Sequence, residues 1–237
     1  MGKVTALRFF IGGILFVFLL TGSYFAVTWM RSDLVLREVR AELDAWQAAG
    51  EVSSLDEWQR QLDALGDAEA VHSENPLIHQ YRGLLHEWRG FAVAGQDISA
   101  SDILIARREA TAAYREVVQH KAVQASDWAS LARMKALSGE VDAEFTHALG
   151  RAMTLGLNIP SVQRSVAFML SLTWTRIRDD APLGGQVKEY IQHAFLHSTA
   201  VREIVDYLGN AGILEEFCEG VDSDELRSVV RNACGVG

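Results

Sequence analysis

Between Arg8 and Arg31 the chain runs from Phe9 to Met30, 22 residues, without a single charged side chain. A helix rises about 1.5 Å per residue, so this run reaches roughly 33 Å and can cross a hydrocarbon core of about 30 Å. Lys3 and Arg8 ahead of it, and the small residues Thr21-Gly22-Ser23 within it, also fit a secretory signal with a cleavage site. A cleaved signal has no use for the second apolar half, Tyr24 to Met30. The run is therefore expected to stay as a transmembrane anchor over 9–30, behind a cytoplasmic tail of residues 1–8. Basic residues flank both ends, Lys3 and Arg8 before and Arg31, Arg37 and Arg40 after. The short basic tail favours an N-terminus inside the cytoplasm and a folded domain outside it.

Of the 237 residues, 20 of the 22 basic ones and all 31 acidic ones follow the anchor. That acidic balance opposes nucleic-acid binding, and no basic cluster with interleaved aromatics offsets it. About 200 residues remain to build a core. With only three prolines and abundant Ala, Leu, Glu, Gln and Arg, the expected fold is all-α.

Periodicity organises that part into hairpins. Leu36, Val39, Leu43 and Trp46 share a face that prolongs the anchor, and Gly50 ends it. Ser54-Leu55-Asp56-Glu57 reads as a capping box before Trp58, Leu62 and Leu65, which gives a membrane-proximal helical hairpin over 31–73. Asn75-Pro76 opens the next helix, with Leu77, Tyr81, Leu84, Trp88 and Phe91 on one face. A helix from Ser101 alternates small and large apolar residues, Ala106, Ala110, Ala113, Tyr114 and Val117, a pattern that permits close helix packing.

The pair from Asp127 partly matches the tetratricopeptide pattern W-x2-L-G-x2-Y. Trp128, Leu131, Ala132, Ala148 and Pro160 fit, whereas Lys135 stands where the tyrosine belongs. Further helices follow around Trp174 and Tyr190, separated by a turn from Asp179 to Gly185, and two short ones close the chain. Residues 74–237 thus read as a helical-repeat domain, an α-solenoid of degenerate TPR-like hairpins with a cysteine-containing C-terminal cap.

Signals for chemistry are sparse. Cys218 and Cys234 are the only cysteines, and outside the cytoplasm they are expected to form a disulfide clamping the last helix. His193 and His197 lie four apart on a helix, but Ala194 stands where a zinc-protease motif needs its glutamate. They and the pair His79 and His86 read as surface histidines, and Glu87 and Arg89 as surface charges flanking Trp88. No nucleophile elbow, phosphate loop or paired-carboxylate arrangement appears. No catalytic, metal or cofactor site is expected. Most tryptophans should be core; a concave repeat surface could instead use Tyr81, Trp88, Tyr114 and Trp128 as a partner-binding groove.

The stretch NPLIHQYRGLLHEWRGF at 75–91, between a tryptophan-containing hairpin and the cysteine-bearing tail, resembles the VpsP-like family of bacterial exopolysaccharide-biosynthesis proteins. The likeness rests on the N-terminal span, Asn75-Pro76, Gly83, Glu87-Trp88-Arg89, Trp174, and Cys218 with Cys234. It implies an inner-membrane accessory that works beside polysaccharide polymerisation and export machinery and has no catalytic centre. The expected role is a non-catalytic, membrane-anchored scaffold binding other proteins. The alternatives are a periplasmic chaperone or assembly factor for membrane complexes, and a hydrolase or lyase acting on the polysaccharide.

Overall fold

A computed structural model describes residues 2–91, 98–219 and 228–235, and every regular element among them is a helix. The first, α1 (Gly2–Ala49), is one unbroken helix of 48 residues. Its segment from Gly13 to Met30 is wholly outside the folded core, and α1 is long and apolar enough there to cross a membrane. From Ser32 onward the same helix buries Leu36, Val39, Leu43 and Trp46. Gly50, with φ 79°, ends α1 in the left-handed region that only a residue without Cβ enters at little cost.

Then come α2 (Leu55–Val71), α3 (Pro76–Phe91), α4 (Ala100–His120), α5 (Ala125–Leu137) and α6 (Ala143–Leu155). They are followed by α7 (Pro160–Ile177), α8 (Ala181–His197), α9 (Val201–Asn210), α10 (Leu214–Cys218) and α11 (Ser228–Ala233). Ser54 caps α2 by accepting from the Glu57 N–H at 3.1 Å. The Glu57 carboxylate takes Gln61 and Arg60 instead of reaching back, so only half of the expected box forms. The helix expected from Ser101 starts at Ala100 under a Ser99 cap. The one expected from Asp127 starts at Ala125.

The turn expected over Asp179 to Gly185 is shorter. Pro182 falls in the first turn of α8, where its missing N–H costs nothing, so Gly184 and Gly185 are helical. At the C-terminal end Ser228–Ala233 is helical, while the preceding part of the expected helix lies outside the described residues.

Buried apolar side chains form two clusters. One joins α1, α2 and α3 through Val39, Trp46, Leu65, Ile78 and Leu85. The other runs from α4 to α11 and includes Phe145, Met169, Trp174, Phe195 and Phe217. Packing therefore shows no break after residue 73, because α3 shares the core of the hairpin before it.

From α1 to α10 successive helices pack on one another, α11 packs on α9, and α1 also meets α3, α5 meets α7, and α7 meets α9. The two clusters are closed onto each other by α3 against α4. A Cβ built on Gly83 would stand 2.7 Å from the Tyr114 ring, so the bare backbone of α3 is what lets that ring approach it. Cys218 and Cys234 are joined in a disulfide, which ties the end of α11 to α10.

Candidate functional site

The helical spacing that buries one face of α3 leaves a second stripe, Leu77, Gln80, Tyr81, Leu84 and Trp88, turned toward α1. Arg40, Leu43, Asp44 and Gln47 form the opposing stripe on α1. Between them lies an open cleft of about 370 Å³, within the range of ligand and peptide-anchor pockets. Its floor is apolar, Leu43 and Leu84, and its rim carries a guanidinium, a carboxylate and two amides. Tyr81 and Trp88 are half-buried, each with ring surface left for a ligand.

The far side of α3 fixes this wall. Arg82 makes a bidentate pair with Glu69 of α2 at 3.1 and 2.6 Å, which holds the Glu69 carboxyl below its usual pKa. The Glu87 carboxylate accepts two hydrogen bonds from Arg133 of α5, at 2.8 and 2.6 Å. At the edge of the cleft stripe Gln80 donates its amide N–H to the buried Asp127 of α5 at 3.3 Å, and desolvation raises that carboxyl's pKa. On α2, Trp58 donates its indole N–H to the Leu85 carbonyl at 2.8 Å, with the Arg89 guanidinium 6.0 Å above its ring.

Of the four residues expected to line a groove, the structure brings together Tyr81 and Trp88. Tyr114 does not join them: it is 1% exposed, sealed under Gly83, and burial foremost raises its phenol pKa well above the ordinary value. Trp128 is also core. Its indole N–H donates to the Ala122 carbonyl at 2.8 Å, and His147 and Arg151 of α6 cover its ring.

Three expectations of surface positions are corrected in the same region. Glu87 is buried against Arg133 rather than solvated. His86 is buried edge-on to Trp58, and desolvation, aided by the Arg82 charge, lowers its pKa to about 4, so it is neutral near pH 7. His79 is buried too and stacks on His120 at 5.9 Å. His193 and His197 remain at the surface with rings 4.5 Å apart, and His193 meets the Asn158 side chain at 2.8 Å. Among the described residues no three His, Cys, Asp or Glu side chains gather as a metal site.

A second constellation escaped the sequence reading. Lys135, 2% exposed, sends its ammonium to Glu144 and Asp142 at 2.9 Å and to Glu140 at 3.2 Å. Burial lowers its basicity, but the three carboxylates outweigh that and raise it. Glu144 also takes Arg115 of α4 at 2.6 and 2.9 Å, and this pairing above all brings its pKa down to about 2. The signal was visible as a lysine in a tyrosine position of the repeat, followed by acids at alternate residues 140, 142 and 144. The cluster locks the α5–α6 hairpin to α4, with the ammonium buried and the carboxylates partly open to solvent.

No family model matches the chain, and neither a curated protein nor a solved structure matches it.

Proposed function

We propose that the chain is a non-catalytic scaffold that uses α1 as a single-pass anchor and receives a segment of another protein in the α1–α3 cleft. The observation that carries this reading is the cleft itself: an apolar floor between Tyr81 and Trp88 under a rim of Arg40, Asp44, Gln47 and Gln80. Aromatic anchors with a few polar groups around them suit a short peptide or helix presenting one or two large apolar side chains.

In this reading α3 to α9 are degenerate TPR-like hairpins stacked as a solenoid, a view supported by the contacts of α5 with α7 and α7 with α9. The helical domain lies on the periplasmic side of a bacterial inner membrane; the Cys218–Cys234 disulfide suits that oxidising compartment. The resemblance to VpsP-like proteins supplies the setting, exopolysaccharide synthesis or export.

The test is photo-crosslinking in intact membranes, with a benzophenone amino acid at Trp88 and a control at exposed Glu109. One or a few discrete adducts at 88, absent at 109 and containing polysaccharide polymerisation or export components, are expected. A smear of many unfolded clients would replace the scaffold by a chaperone. No adduct specific to 88 would remove the cleft from the account.

A further inference from the structure

We propose that the end of the helical domain carrying the α2–α3, α4–α5 and α6–α7 turns rests on the bilayer surface beside the anchor. The inference builds on the reading of α1 as a transmembrane helix and adds an interaction surface to it.

Outside the anchor, the described residues hold nine well-exposed large apolar side chains, and six lie at this end: Leu34, Val71, Leu77, Val123, Leu157 and Ile159. Val123 sits in the turn between α4 and α5 and is 77% exposed. A solvent-facing turn of four residues favours Gly, Asn, Asp, Ser or Pro, and nothing in its own geometry calls for valine.

Contacts run along this edge from the anchor outward. Trp29 stacks on His72 at 5.1 Å, where the apolar run of α1 gives out and the α2–α3 turn begins. His79, near the start of α3, stacks on His120 at the end of α4. Arg151 of α6 donates to the Ala122 carbonyl in the α4–α5 turn at 3.3 Å. His193 near the end of α8 meets Asn158 in the α6–α7 turn. The exposed apolar residues therefore belong to one continuous rim that starts where α1 leaves the hydrocarbon.

Charge sorts the two ends the same way. In the near turns, 72–75, 121–124 and 156–159, the charged side chains are Glu74 and Lys121, with His72 beside Trp29. In the opposite turns, 50–54, 138–142 and 178–180, five acids stand against Arg178; Glu140 and Asp142 share the ammonium of Lys135 and Asp179 meets Arg178, which still leaves Glu51 and Asp180 as excess negative charge at that end. An anionic lipid surface repels the acidic end and accepts the near-neutral apolar one. An aromatic at headgroup depth with scattered aliphatic side chains around it is the composition of an interfacial contact.

The test uses the full chain in vesicles of phosphatidylethanolamine and phosphatidylglycerol. Since both native cysteines are bonded, a nitroxide can be placed on single cysteines in Leu20→Cys, Val123→Cys, Leu157→Cys and Asp179→Cys. Accessibility to oxygen, which partitions into lipid, is compared with accessibility to a water-soluble nickel chelate. Labels at 123 and 157 are expected to favour oxygen severalfold over nickel relative to 179, and to approach the lipid value at 20. An aqueous signal at 123 or 157, with 20 still in lipid, overturns the inference and leaves the anchor standing. An aqueous signal at 20 removes the anchor and the inference with it. Labels at 123 and 157 shielded from both reagents mean that a second copy covers this end, which also overturns it.

Discussion

Replacing Glu144 by Gln tests the charged lock between α4, α5 and α6, and its effect should depend on pH in a defined direction. Folded Glu144 titrates at about 2 because Arg115, then Lys135, hold its carboxylate, against an ordinary 4.5. A carboxyl lowered by folding contributes its full stability above pH 4.5, and the contribution disappears as pH falls toward 2. At about 1.4 kcal/mol per unit the whole shift corresponds to roughly 3 kcal/mol. The side chain is 35% exposed, so solvent screening brings the expectation to about 1–2 kcal/mol.

Glu144→Gln should therefore be less stable than the parent by about that amount at pH 7, and the difference should shrink steadily between pH 4.5 and 2. Urea unfolding of the full chain in detergent micelles, followed by tryptophan fluorescence at several pH values, measures it. His86, neutral when folded and titrating at about 4, destabilises both proteins as pH falls from 6.5 to 4, and it cancels in the comparison. A difference between the two proteins that stays constant from pH 7 to 3, or that is absent at pH 7, would refute the pairing as the source of stability.

Gly83→Ala should destabilise by about 1–2 kcal/mol despite the better helix propensity of alanine, because the new methyl meets the Tyr114 ring at 2.7 Å. Tyr114→Leu in the same chain should recover part of that loss, and strictly additive losses by urea titration would count against the contact. Cys218→Ser with Cys234→Ser opens a bridge spanning 16 residues and should cost about 3 kcal/mol, read as a lower melting temperature that reductant reproduces in the parent. Trp88→Ala should leave the fold intact by circular dichroism while abolishing adducts formed from a crosslinker at Gln47, across the cleft from it.

The sequence displayed the helices because their signals are local. Gly50 with a positive φ, the Ser54 cap and Pro160 at the start of α7 all act within a turn of themselves. The extended α8 shows the limit of punctuation: Pro182 and the Gly184-Gly185 pair suggested a loop, yet a proline in a first turn starts a helix as readily as it ends one. What stayed hidden depends on which helices meet. Tyr114 and Tyr81 look alike in the sequence, and only Gly83 decides that the first is sealed between α3 and α4. Glu87 and His86 sit on the same helix as Trp88 but face inward, and their partners Arg133 and Trp58 are 46 and 28 residues away. The half of the cleft supplied by Arg40, Asp44 and Gln47 was invisible for the same reason: nothing local in α1 says that its polar positions face α3.

In the proposed reading α1 is both the anchor and a wall of the cleft, and that double use constrains the partner. The cleft wall at Arg40 to Gln47 and the apolar run ending at Met30 are parts of one continuous helix, so no flexible linker separates them. From Met30 to Leu43 an α-helix rises roughly 20 Å, which sets how far along α1 the middle of the cleft stands from the end of the apolar run. The packing of Ser32, Leu36 and Val39 into the core also fixes the rotation of the anchor about its axis relative to that wall. A freely tethered domain would raise a partner's local concentration only over the volume its linker sweeps. A rigid helix restricts the encounter to segments presented within about that distance of the membrane and in a set orientation. A partner that is itself embedded in the same bilayer meets that condition with the least loss of freedom on binding, which is the physical reason to look for it among integral membrane proteins first.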